Sequence, residues 1–193
     1  MGGIDVILLA AGRSSRLGQP KALVDADGQP LIQRLMSRLH QLQAEVTVVT
    51  NTDLLADIML LCPSAHVVLN PDPEKGRTGS VQCGLASILE RNGRLPRKVL
   101  LVPVDRPGWS VELVGHLLKS ETSACPVWNN RGGHPLLMVG DDVKAVYLAE
   151  VDAPLSSLIQ RKPLPVDFPW LHLNIDTEAD LVDLLTASKE DWF

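Results

Sequence analysis

Leu8-Leu9-Ala10-Ala11-Gly12-Arg13-Ser14-Ser15-Arg16-Leu17-Gly18-Gln19-Pro20-Lys21-Ala22-Leu23 decides how this chain is read. An apolar run, Ile4 and Val6 to Ala11, stops abruptly at Gly12. From Gly12 to Lys21 the chain holds two glycines, two serines, two arginines, a proline and a lysine. A buried strand that ends in a cationic, hydroxyl-rich loop is a place to hold a polyphosphate. Backbone N–H groups approach an anion closely where glycine removes the Cβ. Arg13, Arg16 and Lys21 bring the charge to neutralise it.

Working outward, strand-like and helix-like segments alternate along the chain. Residues 4–10 read as a buried strand. Leu31, Ile32, Leu35, Met36, Leu39 and Leu42 fall on one helical face. Strands follow at Val46–Val49, His66–Leu69 and Val99–Val104, and helices at 53–60, 79–91 and 110–119. Beyond these come Ala124–Trp128, Pro135–Val139, helical stretches at 141–149 and 154–160, a strand at Leu171–Ile175 and a helix at Glu178–Ala187. The proline-rich stretch Pro163–Pro169 reads as a surface connection. The pattern predicts a three-layer α/β fold, Rossmann-like, with a mostly parallel sheet and helices on both faces. The 193 residues suit one domain spanning the whole chain.

Composition narrows the classes of function. The net charge is −5, which offers no general attraction to nucleic acid or an anionic membrane. No apolar run approaches the length of a membrane span, and the start lacks the basic region of a signal peptide. Cys62, Cys83 and Cys125 are far apart, with neither a disulfide framework nor metal-binding spacing. They read as free thiols in a reducing cytoplasm. Trp109, Trp128 and Trp170 read as core.

Ligands of such sheets bind beyond the carboxyl ends of the strands. The candidate residues are therefore those just past each strand. The first loop matches neither common phosphate motif: it lacks G-x-G-x-x-G, and Lys21 stands three residues after Gly18 rather than next to it. Asp105 ends the strand Val99–Val104, where a carboxylate facing a phosphate loop is a natural Mg²⁺ ligand. It could equally cap the turn before Pro107. Asp176 could supply a second carboxylate, or Thr177 could cap the last helix with Asp180 three residues on. Gly76-Arg77-Thr78-Gly79-Ser80 offers free N–H groups at a helix start, or plain capping by Thr78. His134 lies in a tight Gly-Gly-His-Pro turn.

Together these segments resemble the MobA-like nucleotidyltransferases, nearest the molybdenum cofactor cytidylyltransferases. The first loop carries the resemblance. Asn70-Pro71 with Gly76, Ser80 and Gly84 agrees in order and spacing, as do Pro103-Val104-Asp105, Gly133-His134-Pro135 and Ile175-Asp176-Thr177. The fold implied is that of the nucleotide-diphospho-sugar transferases. Leu9, Ala10, Ala11 and Gly12 would line the base and ribose pocket. Arg13, Arg16 and Lys21 would hold the triphosphate, and Asn70 and Ser80 would approach the base or ribose. Asp105 and Asp176 would hold Mg²⁺. His134 and Arg106 would face the acceptor.

What the resemblance implies is transfer of CMP from CTP to the phosphate of a molybdopterin-type acceptor, with release of pyrophosphate. A molybdoenzyme is an implied partner. Leu-Ala-Ala-Gly resembles the CTP-using branch, whereas GTP users commonly carry glycine at the position of Ala11. Alternatives stay open: a molybdopterin guanylyltransferase using GTP, a cytidylyltransferase for another small phosphorylated acceptor, or a nucleotide-binding chaperone without turnover.

Overall fold

In the computed structural model, which describes residues 3–14 and 16–193, the expected alternation folds into one mixed sheet. Strands β1 (Asp5–Ala10), β2 (Glu45–Thr50), β3 (His66–Leu69) and β4 (Lys98–Pro103) run parallel in the order β3-β2-β1-β4. Beyond β4 the sheet continues through β7 (Leu136–Val139), which is antiparallel, to β5 (Ala124–Trp128). Short β6 (Arg131–Gly132) makes a hairpin with β5. Its two turn residues, Asn129 and Asn130, have φ of 49° and 59°, the left-handed pair that asparagine tolerates in a type I′ turn.

Alternation along β1 divides the interior in two. Val6, Leu8 and Ala10 face a cluster shared with α1 (Leu31–Gln41), α4 (Val111–Leu117) and α7 (Asp180–Ala187). Ile7, Leu9 and Ala11 face the other cluster, with α3 (Arg77–Asn92) and α5 (Asp141–Leu148). A period of two on a strand sends neighbours to opposite faces, so β1 is apolar at every position from Val6 to Ala10 because both faces are covered. Helix α3 lies so close to β1 that a Cβ at Gly84 would sit 2.8 Å from Ile7 Cγ2. Two smaller helices, α2 (Leu55–Leu61) and α6 (Leu155–Leu158), complete the layers. No helix among the described residues is long and apolar enough to cross a membrane.

Two segments differ from the sequence expectation. Leu171–Ile175 is not a strand: residues Pro169–His172 form a 3-10 turn, and the chain then runs extended without joining the sheet. The proline-rich connection instead contributes a strand, β8 (Lys162–Pro165), parallel to β5. The N–H groups of Lys162 and Val166 donate to Ser123 and Val127 carbonyls at 2.8 and 3.0 Å. Pro163 and Pro165 occupy the alternate positions, whose missing N–H would point away from β5. An edge strand accepts proline there without losing a bond. Of the tryptophans, Trp109 is fully buried, while Trp128 and Trp170 are half-buried.

Candidate active site

The carboxyl ends of β1 and β4 open onto one cavity of about 290 Å³. Leu9, Ala10, Ala11, Gly12 and Lys21 line one side, Ser80 and Arg77 of α3 another, and Pro103 to Asp105 the floor. The position follows from strand order: β1 is central, and the first loop rises directly beside the end of β4. The Val104 N–H donates to the Leu9 carbonyl at 3.0 Å, which fixes the two strand ends level.

The loop itself is folded around Ser14. Ser14 Oγ accepts from the Lys21 N–H at 3.0 Å, and its carbonyl accepts from the Leu17 N–H at 3.1 Å. These bonds turn the chain back so that Lys21 enters the cavity. Ser15 of this loop lies outside the described residues. A second support was not visible in the sequence reading. Asn51, at the end of β2, is buried; its Nδ2 donates to the Ala11 carbonyl at 3.1 Å, and its Oδ1 accepts from the Leu54 N–H at 3.1 Å. The signal was available, since Asn51 directly follows a strand, as do Asn70 and Asp105.

Lys21 is the electrostatic centre of the site. Its Nζ donates to Asp176 Oδ1 at 2.9 Å and lies 3.5 Å from Asp105 Oδ2. Arg16 Nη1 pairs with the other Asp176 oxygen. The hydrogen bond from Lys21, with the charges of Lys21 and Arg16, outweighs desolvation and holds the Asp176 carboxyl below its ordinary value. The two carboxylates predicted from distant parts of the sequence therefore meet on one ammonium. Their segments are joined by the backbone as well, because the Ile175 N–H donates to the Asp105 carbonyl at 2.9 Å. Gly108 lets the segment after Asp105 pass against Trp170, whose carbonyl oxygen a Cβ there would strike.

Asp180 orients this corner, and its role differs from the expectation that Thr177 caps the helix. Asp180 Oδ2 accepts from the N–H groups of Asp176 and Thr177 at 2.9 and 2.7 Å, and from the Thr177 hydroxyl at 3.0 Å. Desolvation pushes its carboxyl up, but these bonds win and keep it low. Thr78 is likewise not a plain cap; its hydroxyl donates to the Ala153 carbonyl at 2.6 Å and pins residues near 153 to α3.

Of the expected site residues, Arg13, Arg16, Asn70, Asp176, Arg106 and His134 are not among those that line the cavity. Arg13 Nε pairs with Glu74 at 2.6 Å in an exposed ion pair between the first loop and the turn after β3. Asn70 is buried, and its amide donates to Ser80 Oγ at 2.9 Å. It positions Ser80 rather than lining the cavity itself. Arg106 is half-buried next to Asp105, and His134 is half-buried in the bend that precedes β7. The thiols are not part of the site; burial raises all three, Cys62 to about 11.

The model of the MobA-like NTP transferase domain matches residues 6–167. The chain belongs to this family. A molybdenum cofactor guanylyltransferase of Xanthomonas euvesicatoria pv. vesicatoria is 32% identical over 65% of this chain and 59% of its own length. One of Sinorhizobium fredii is 29% identical over 99% and 92%. A nicotine blue oxidoreductase of Paenarthrobacter nicotinovorans is 30% identical over 83% of each chain. In three dimensions the chain is similar to Rv0371c of Mycobacterium tuberculosis, with a TM-score of 0.80 and 21% identity over 95% and 98% of the two chains. That similarity shows a shared fold, in agreement with the α/β architecture expected from the sequence.

Proposed function

We propose that this protein transfers the nucleotidyl group of GTP to the phosphate of a molybdopterin-type acceptor and releases pyrophosphate. The observation that carries the reading is one ion-pair network, Arg16–Asp176–Lys21–Asp105, of which Lys21 and Asp105 line the strand-end cavity. Two relatives named as guanylyltransferases favour GTP as donor. One observation favours CTP instead: Ala11 lines the cavity at a position where the family's GTP users commonly have glycine.

In this reading the backbone of Ala10 to Gly12 receives the nucleoside, and Lys21 and Arg16 take up the triphosphate. An oxygen of the acceptor phosphate attacks the α-phosphorus in line. The new P–O bond forms as the bond to the β-phosphate oxygen breaks, and pyrophosphate leaves. A phosphate monoester is largely ionised near neutral pH, so no protein base is required. Lys21 and Arg16 stabilise charge that moves onto the leaving group.

Asp105 and Asp176 fit a Mg²⁺ ion, which takes one or two carboxylates and completes its shell with phosphate oxygens and water. Among the described residues no group of three metal-binding side chains exists, so phosphate oxygens and water would supply the remaining ligands. A bound Mg²⁺ would supply charge neutralisation at the phosphates. Both carboxylates are held by Lys21 and Arg16 in the free protein, and the triphosphate would draw those cations away.

A thermal-shift panel of GTP, CTP, ATP and UTP with Mg²⁺ tests the donor. Ligand at a hundred times its Kd adds about 2.7 kcal/mol to stability, a readable shift. Selective stabilisation by GTP is expected. A shift with CTP alone reassigns the donor, and no shift with any nucleotide overturns the reading.

A further inference from the structure

We propose that Arg38 is a positioning residue for Asp105: its buried guanidinium grips the turn that follows this carboxylate and so fixes where Asp105 stands relative to Lys21 and Asp176. What Asp105 does there rests on the transferase reading; how it is held does not.

Arg38 lies on the inner face of α1 and is 2% exposed. Among the described residues no carboxylate pairs with it. Burial first, then the charge of Arg34, pulls the guanidinium down to about 9, so it stays charged near neutral pH. Its Nη1 donates to the Pro107 carbonyl at 3.1 Å and to the Trp109 carbonyl, and its Nη2 donates to the Pro107 carbonyl at 3.2 Å. The guanidinium carbon stands 4.0 Å from the centre of the Trp109 ring and 4.7 Å from that of Phe193. A buried cation without a counter-charge is costly, and an apolar side chain of similar size would fill the same space with less penalty. What the guanidinium does that an apolar side chain could not is bind two carbonyls, two and four residues past Asp105.

No other side chain among the described residues bonds the backbone of residues 105–109. The remaining ties are backbone ones: the Ile175 N–H to the Asp105 carbonyl and the Trp109 N–H to the Pro107 carbonyl, each at 2.9 Å, and the close pass of Gly108 against Trp170. Ala22 after Lys21, Val104 before Asp105 and Ile175 before Asp176 all belong to the cluster that α1 joins. The three segments of the ion-pair network therefore rest on one side of the sheet, and Arg38 locks one of them with directed bonds. Asp105 needs that support. Lys21 Nζ reaches Asp176 at 2.9 Å but Asp105 only at 3.5 Å, so the ion pair alone holds Asp105 loosely.

Two measurements test the role with Arg38→Met. Arg38→Lys, which keeps the charge without the planar fork, is run beside it and should lose less in both; it decides alone if the methionine variant fails to fold. The first follows amide hydrogen exchange by NMR in the free protein. The Ile175 N–H should exchange about tenfold faster relative to the β1 amides, which report global unfolding. Equal acceleration of both overturns the proposal, because Arg38 would then support stability alone, and so does an unchanged Ile175 rate. The second follows Mn²⁺ binding by EPR in protein saturated with a non-hydrolysable GTP analogue, with and without Asp105→Asn. Arg38→Met should weaken Mn²⁺ binding about tenfold where Asp105 is present and leave it unchanged in the Asp105→Asn background. Equal weakening in both backgrounds overturns the proposal. A wild-type chain that binds no analogue counts against the transferase reading instead, and the exchange rates then decide the role of Arg38.

Discussion

Replacing Asn51 tests how the nucleotide loop is held. Its side chain is 7% exposed and makes two bonds of 3.1 Å, one given to the Ala11 carbonyl and one taken from the Leu54 N–H. Asn51→Ala removes both. Loss of the cap on Leu54 costs about 1 kcal/mol. Leaving the Ala11 carbonyl without its donor adds about 1–3 kcal/mol for a buried acceptor. The sum, about 2–4 kcal/mol, is a sizeable part of a typical domain's stability but leaves the protein folded. Asn51→Asp separates the two bonds. It keeps an acceptor for Leu54 but sets a carboxylate oxygen against the Ala11 carbonyl, so it should lose at least as much as alanine. Urea unfolding, followed by tryptophan fluorescence, measures both variants. The reasoning is refuted if Asn51→Asp unfolds at the wild-type midpoint, since the donated bond to Ala11 would then contribute nothing.

Three further outcomes follow from other contacts. Gly84→Ala drives a Cβ to 2.8 Å from Ile7 and should cost about 1–3 kcal/mol by overpacking; a wild-type urea midpoint would mean α3 moves off β1 freely. His134 has a folded pKa of about 3, below the ordinary 6.5, so its contribution is full above pH 6.5 and fades as pH falls toward 3. His134→Gln should therefore flatten the fall in urea midpoint between those values, and an unchanged pH slope contradicts the burial of a neutral ring. Lys21→Met removes the largest influence lowering Asp176, so the Asp176 titration midpoint in carboxyl-resolved NMR should rise; an unmoved midpoint means the ion pair is absent in solution.

Much of the site could be read in the sequence because its signals are local. Gly12, Ser14, Arg16 and Lys21 fall within eleven residues of one strand end. Asp105 stands at the end of a strand apolar at almost every position. Asn51 escaped because its work is done through backbone atoms forty residues away, at Ala11. Strand β8 escaped because prolines usually argue against a strand, and only its place at the edge makes Pro163 and Pro165 acceptable. Leu171–Ile175 misled in the opposite way. Its apolar residues Leu171, Leu173 and Ile175 are buried against the α1 and α4 side without joining the sheet, so alternation reported burial and not pairing. Arg13 is expected at a phosphate from its charge and Asn70 at the base or ribose from the resemblance, but the partners that engage them, Glu74 and Ser80, are set by tertiary packing.

The most direct measurement of the central claim is pyrophosphate release from GTP, Mg²⁺ and molybdopterin, with the wild-type chain and Asp105→Asn compared at equal nucleotide saturation. The account predicts one pyrophosphate for each molybdopterin converted to its nucleotide adduct, and loss of most of the rate in Asp105→Asn with the fold intact. Tight nucleotide binding with no pyrophosphate from GTP or CTP, or wild-type turnover by Asp105→Asn, would contradict it.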